Sequence, residues 1–184
     1  MGDLDLDLNL EDEGLGERDC FAWMRDYRYL RWDELPEEPI YLRELVDRIN
    51  ERHKGFPMVR PGTDCFTMAM ARNYIKAGLT PPPIGKRYGR EHWCRLYLAS
   101  VLKSVYDASH VQYFCELLLP EDDMPAMNDA IAVQVEVSFA AILGRAPAES
   151  VVEDELTDVR RFVGDALSNK VASLCLAEER MGLR

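Results

Sequence analysis

The spacing of hydrophobic residues along the chain predicts a mainly α-helical protein. Apolar side chains recur at intervals of three and four residues in five stretches, and polar or charged side chains fill the positions between them. The helices predicted in this way span residues 40–52, 67–77, 90–105, 109–119 and 150–181. We therefore expect a mainly α-helical fold.

Residues 126–143 fit two kinds of element. Ile131, Val133 and Val135 alternate with polar or small residues as in a strand, but Ile131, Val135 and Phe139 also share one helix face. The pattern alone leaves both possibilities open. The length of the stretch, together with Pro125 and Gly144 at its two ends, favours a helix.

Helix-ending residues divide the middle of the chain. Thr67 is a good N-cap for the helix at 67–77, and Gly78 is placed to end it. Glycines and prolines in residues 53–64 predict a loop. Pro81, Pro82 and Pro83 prevent the helix from continuing, and residues 84–89 form a compact basic loop.

The predicted helix at 67–77 has two distinct faces. At about 100° per residue, one broad arc holds large or apolar side chains that we expect to be buried, namely Phe66, Met68, Met70, Ala71, Tyr74 and Ile75. The other arc holds Ala69, Arg72, Asn73 and Lys76. A stripe of cationic and amide side chains is therefore predicted to face solvent.

The charge of the chain is unevenly distributed. The net charge is -11, which opposes indiscriminate binding to nucleic acid. Residues 67–120, however, carry seven basic and three acidic residues, a net charge of +4. This basic segment is the part of the chain expected to face a polyanion, although an ordinary solvated surface is an alternative.

Charge and helix pattern together divide the chain into three parts. Residues 1–19 carry eight acidic residues and one basic residue, and we expect a flexible acidic tail. Residues 20–120 form the central module, and residues 121–184 form a helical C-terminal region. The tail has two interpretations: a solubilising segment, or a phosphate mimic that lies over the basic segment and limits DNA binding.

The usual signs of an enzyme, a metal site or a membrane protein are not found in the sequence. Three histidines and five dispersed cysteines offer no Cys-x-x-Cys pair, and nucleophile-elbow and phosphate-loop motifs are missing. We therefore expect no catalytic site, no metal and no cofactor, and we expect the cysteines to be reduced, mostly buried thiols. No apolar stretch is long enough to cross a membrane, and the start is acidic, so a cytoplasmic location is expected.

Four strings in the middle of the chain, residues 31–36, 40–42, 66–83 and 85–92, form a recognisable pattern. The most specific part is Asn-Tyr-x-Lys-x-Gly-Leu-x-Pro-Pro-Pro followed by Lys-Arg-Tyr. These strings resemble a bacterial family, the domain of unknown function 1836. The resemblance covers roughly residues 30–120. That family in turn resembles the helix-turn-helix of MerR regulators, in which a recognition helix ends in Tyr-x-x-x-Gly-Leu and a wing follows. The resemblance implies a winged helix-turn-helix module.

The same resemblance implies a binding mode. Arg72, Asn73 and Lys76 would lie on the recognition helix and enter the major groove of double-stranded DNA. The phosphate backbone would be held from the wing and the start of the next helix by Lys86, Arg87 and Arg90. We expect a DNA-binding transcriptional regulator that forms a homodimer through its C-terminal helices. The alternative is a non-catalytic protein-interaction module that keeps the helix-turn-helix shape without binding DNA.

Overall fold

The structure is a computed structural model and describes residues 21–54, 63–145, 151 and 153–180. The predicted acidic tail and most of the predicted loop at 53–64 lie outside these residues. The described elements are α1 (Ala22–Asp26), β1 (Ile40–Tyr41), α2 (Leu42–Arg52), α3 (Met68–Lys76), β2 (Arg87–Tyr88), α4 (Arg90–Leu102), α5 (Ala108–Leu118), α6 (Met124–Ile142) and α7 (Thr157–Arg180), with a 3-10 turn at Trp32–Glu34. The expectation of a mainly helical protein is confirmed.

Both ends of α3 are capped as the sequence predicts. The Oγ1 atom of Thr67 accepts a hydrogen bond of 3.2 Å from the amide of Met70, which satisfies a free donor of the first turn. Gly78 has a φ of +88°, and the amide of Leu79 donates to the carbonyl of Tyr74 at 3.0 Å. This is a Schellman ending, which requires a left-handed residue just past the helix.

A small antiparallel sheet replaces the predicted start of the first amphipathic helix. Ile40 pairs with Tyr88 and Tyr41 pairs with Arg87, so the helix predicted from residue 40 begins at Leu42. Ile40 is buried, as the helical spacing requires, but its backbone is extended. The hydrophobic pattern does not predict this strand because its pairing partner, Tyr88, lies far along the chain.

The helices on the C-terminal side differ in detail from the prediction. The ambiguous stretch at 126–143 is helical, within α6. The helix predicted for 90–105 ends at Leu102. The helix predicted from residue 150 begins at Thr157, where the Oγ1 atom of Thr157 accepts a 2.7 Å hydrogen bond from the amide of Asp154. This local bond fixes the helix start beyond the point where the apolar spacing begins.

One hydrophobic core joins the middle of the chain to α6 and α7. All residues of α4 except the first two are buried, so α4 lies at the centre. Asn128 of α6 donates to the carbonyl of Leu30 at 2.9 Å and accepts from the thiol of Cys94 at 3.1 Å. The pair α6 and α7 therefore packs on the central module within a single chain.

The helices α6 and α7 lie against each other at close range. A guanidinium nitrogen of Arg160 is 3.9 Å from the sulfur of Met127, and the Oγ of Ser138 donates to the carboxylate of Asp165 at 2.8 Å. The first half of α7 therefore contacts both the start of α6, at Met127, and its later part, at Ser138. None of the helices in the described ranges is both long enough and apolar enough for a membrane span.

Candidate nucleic-acid interface

The predicted cationic stripe of α3 is open to solvent. Arg72, Asn73 and Lys76 are all exposed, whereas Ala71 on the opposite face has no accessible surface. One residue was predicted wrongly. Met70 was placed on the buried arc, but 38% of its surface is exposed, and it lies next to Asn73 at the edge of the exposed face.

The start of α3 is held by a side chain of α2. The amide nitrogen of the Asn50 side chain donates to the carbonyl of Phe66 at 2.8 Å, and the Asn50 Oδ1 accepts from the amide of Phe66, also at 2.8 Å. Phe66 is fully buried. These contacts fix the backbone immediately before the N-cap, and they set the direction in which α3 leaves the core.

The end of α3 is held by α5. The side-chain amide of Gln112 donates to the carbonyl of Ala77 at 3.1 Å, which satisfies one of the carbonyls left free at the helix end. Leu79, just beyond the helix, is buried. The orientation of α3 is thus fixed at both ends by residues from neighbouring helices.

Residues 84–88 form a short hairpin, which we call the wing. Gly85 and Lys86 have φ values of +58° and +63°, and the amide of Arg87 donates to the carbonyl of Ile84 at 3.0 Å. Two successive left-handed residues make a type I′ turn, the turn that suits a tight hairpin. The wing is joined to the body through the pairing of β2 with β1. Its side chains are therefore presented from a defined backbone.

The two arginines of the wing region have different environments. The guanidinium of Arg87 is exposed and lies 3.8 Å from the centroid of the Tyr41 ring, a cation–π contact that orders it. Arg90 donates to the carbonyl of Leu35 at 3.1 Å and pairs with Glu37 at 3.4 Å. Arg90 thus also holds the segment before β1, and its contribution to a phosphate contact would require it to leave Glu37.

His92 connects the base of the wing to the proline stretch. Its Nδ1 atom is 3.2 Å from the amide of Gly89, and its Nε2 atom is 3.1 Å from the carbonyl of Pro81. A neutral ring with its proton on Nε2 accepts the first bond and donates the second. Burial lowers the pKa of His92, although the bond to Pro81 acts in the opposite direction. His92 is therefore a positioning residue for the wing.

The cations of α3 and of the wing have no carboxylate partners in the part of the chain that the structure describes. No ion pair there involves Arg72, Lys76, Lys86 or Arg87. Most other described cations are paired: Arg31, Arg48, Arg52, Lys54, Arg90, Arg95, Arg160 and Arg161. The exposed cations of α3 and of the wing are therefore not neutralised by described carboxylates, although the whole chain is acidic.

The structure brings the six predicted site residues together in two groups. Arg72, Asn73 and Lys76 share one face of α3, and Lys86 and Arg87 lie together on the wing, with Arg90 at the start of α4. The positioning residues Asn50, Gln112 and His92 were missed. Periodicity cannot reveal them, since each acts through a hydrogen bond to backbone that is distant in the sequence or on another element.

The described residues contain neither a metal-binding cluster nor an exposed thiol. They contain no group of three or more His, Cys, Asp and Glu side chains arranged to hold a metal ion. Four cysteines are free and buried, as predicted, namely Cys65, Cys94, Cys115 and Cys175. Burial raises the pKa of the thiols of Cys94 and Cys115 well above the usual value, so these thiols are poor nucleophiles.

Comparison with known proteins places the chain in a family. No curated protein and no solved structure matches it. The sequence model of the family described as Domain of unknown function (DUF1836) matches residues 30–130, which is more than half of the chain. The matched region begins at Leu30, includes α3 and the wing, and ends within α6. The chain therefore belongs to the family Domain of unknown function (DUF1836).

Proposed function

We propose that this protein is a cytoplasmic bacterial transcription regulator that binds double-stranded DNA through α3 and the wing. The observation that carries the proposal is the exposed cationic surface of these two elements, whose Arg72, Lys76 and Lys86 lack carboxylate partners in the described chain. Phosphates bind such surfaces because each contact releases condensed counterions. The order of helix, glycine turn, prolines and hairpin supports a module similar to the winged helix-turn-helix of MerR regulators.

In the proposed binding mode, α3 lies in the major groove. Arg72, Asn73 and Lys76 then face the base edges, where an arginine can bind guanine and an asparagine can bind adenine. Lys86 and Arg87 of the wing contact phosphates beside the groove, and Arg90 joins them if its pair with Glu37 opens. The fixed ends of α3 favour this mode because a rigid helix loses little entropy on binding.

The test is a salt titration with random-sequence duplex DNA. If four to six phosphates are contacted, the logarithm of affinity falls with the logarithm of salt at a slope of about -0.9 per contact. The double variant Arg72→Glu/Lys76→Glu should abolish binding. The matched control is Arg48→Glu/Lys54→Glu, which changes the net charge equally on exposed α2-side cations. A flat salt response, or equal losses in both variants, contradicts the proposal.

The second candidate function is a non-catalytic protein-interaction module. The net charge of -11 favours it, because the whole molecule repels DNA. Under this alternative, Arg72→Glu/Lys76→Glu leaves oligomerisation and partner capture unchanged. The same pair of variants thus separates the two functions.

We also propose a homodimer formed through the C-terminal helices. The outer face of α7 carries Phe162, with 64% of its surface exposed, and Leu176, also exposed. Apolar side chains on an exposed helix face are suited to a symmetric contact between two copies. Light scattering should give the mass of two chains for the wild type and of one chain for Phe162→Glu. A wild-type mass of one chain contradicts the dimer.

A further inference from the structure

Ile84 is the most exposed large hydrophobic residue in the described part of the chain. It lies in the wing immediately before the turn, and 87% of its surface is accessible. A single exposed apolar residue is ordinary on a protein surface. Ile84 differs from such cases because of where it lies: three prolines precede it, and two cations, Lys86 and Arg87, follow it within three residues.

The backbone that carries Ile84 is firmly held. The carbonyl of Ile84 accepts the amide of Arg87 at 3.0 Å, and the two residues form a bridge. Behind it, the carbonyl of Pro81 lies 3.1 Å from the Nε2 of His92, which ties the proline stretch to α4. The side chain of Ile84 is therefore projected outward by a stiff hairpin and not by a loose loop.

We infer that Ile84 is an apolar wedge that enters the minor groove of duplex DNA when the wing binds. This inference rests on the proposed DNA binding and identifies a residue that determines its sequence preference. Lys86 and Arg87 would hold phosphates next to the groove, which brings Ile84 to the base steps. Apolar side chains inserted in this way partly unstack a step and kink the duplex.

A wedge reads the deformability of DNA and not the identity of base edges. Pyrimidine–purine steps such as TA unstack readily, whereas A-tracts are stiff. The chain should therefore prefer duplexes rich in TA steps over A-tract duplexes of equal length and composition. An isoleucine displaces no counterions, so the contribution of Ile84 to DNA affinity should not depend on salt. The contribution of Lys86 to affinity should depend on salt.

The experiment compares affinities of the full chain for these two duplexes across a range of salt concentrations. Burial of an isoleucine side chain corresponds to about tenfold in affinity, so Ile84→Ala should weaken binding to the TA duplex about tenfold. In Ile84→Ala the preference for the TA duplex over the A-tract duplex should disappear, and the slope of log affinity against log salt should stay unchanged. Lys86→Ala should reduce the slope by about 0.9 and keep the preference.

Two further variants make the comparison sharp. Ile84→Leu should retain the preference for the TA duplex, since it keeps the apolar volume of the side chain. Tyr113→Ala removes another exposed apolar side chain, from α5, and should leave both affinity and preference unchanged. Thermal unfolding should be the same in all four variants because each site is exposed.

The outcomes are distinguishable from those of the proposed function. If Ile84→Ala binds both duplexes as the wild type does, while Arg72→Glu/Lys76→Glu abolishes binding, the wedge is overturned and DNA binding stands. Should the wild type bind neither duplex at low salt, the proposed function and the wedge both fail.

Discussion

Asn50 is the residue on which the placement of α3 depends most directly. Its side chain makes two 2.8 Å hydrogen bonds to the backbone of Phe66, one as donor and one as acceptor. Asn50→Ala leaves both backbone groups of a half-buried segment without these partners. We expect a loss of about 1–3 kcal/mol in the free energy of unfolding, measured by chemical denaturation.

Two controls show whether this loss acts through α3. Asp47→Ala truncates an exposed side chain of the same helix and should change stability little. Hydrogen exchange should increase in α3 for Asn50→Ala more than in α6. Uniform acceleration across all helices would contradict a role specific to the start of α3.

The buried His53 makes stability depend on pH. Its ring stacks on Tyr97 with centroids 5.3 Å apart, and its Nε2 lies 2.7 Å from the Oγ of Ser100, whose own hydrogen is donated to the Tyr97 carbonyl. The Nε2 atom of His53 is therefore the donor in its bond to Ser100. Burial, assisted by the charge of Lys103, lowers the pKa of His53 to about 4 from the usual 6.5.

The direction of the pH effect follows from proton uptake. Between about pH 6.5 and pH 4 the unfolded ring is protonated and the folded ring is not, so the unfolded state binds more protons and stability falls as pH falls. The loss across this window is on the order of 3 kcal/mol. His53→Phe keeps the stacking and removes the titration. At pH 7 the free energy of unfolding of His53→Phe should be lower than that of the wild type, and this difference should shrink at pH 4. A difference that is the same at both pH values would contradict a lowered pKa of His53.

The contact between α6 and α7 depends on Gly164. A Cβ built at this position would lie 2.7 Å from the Oγ of Ser138 and 3.3 Å from the carbonyl oxygen of Gln134. Alanine is intrinsically favoured over glycine in a helix by about 1 kcal/mol. The clash outweighs this preference, so we expect Gly164→Ala to destabilise the protein by about 1–3 kcal/mol in thermal or chemical unfolding.

The partner in this clash can be removed. In a Ser138→Ala background the nearest obstacle to Gly164→Ala is gone, and the loss should be smaller than in the wild type. Equal losses in both backgrounds would show that the penalty arises from the carbonyl of Gln134 or the Cβ of residue 138, each 3.3 Å away, and not from the hydroxyl of Ser138.

The elements that sequence predicts well are those with local determinants. The bounds of α3 follow from the N-cap Thr67 and from Gly78, both of which act within one helical turn. The exposure of Arg72, Asn73 and Lys76 follows from the same helix period. For these residues the physical cause lies within a few positions along the chain, and a single sequence contains it.

The elements that sequence predicts poorly have distant determinants. Ile40 is extended because it pairs with Tyr88, and no local pattern contains that pairing. Met70 is exposed because no element in the described part of the chain covers that edge of α3, although its position on the apolar arc favours burial. Asn50 was missed for the same reason, since its hydrogen-bond partner Phe66 lies 16 residues further along the chain.

The net charge of the protein sets the conditions under which DNA binding can occur. Residues 1–19 contribute -7 of the net charge of -11, so a chain without them carries -4. Deletion of residues 1–19 should raise affinity for random-sequence duplex DNA. The gain should vanish at high salt, because the screening length falls from about 10 Å at 0.1 M to about 3 Å at 1 M.

The deletion alone does not separate long-range repulsion from a tail that lies over the cations of α3. A synthetic peptide of residues 1–19 added to the shortened chain does separate them. If the acidic segment mimics phosphates, the peptide competes with DNA, and the competition requires Arg72 and Lys76. A scrambled peptide of the same composition tests whether the order of the acids matters. Loss of repulsion alone predicts that neither peptide competes, because a charge that is not attached to the protein exerts no steady field on it.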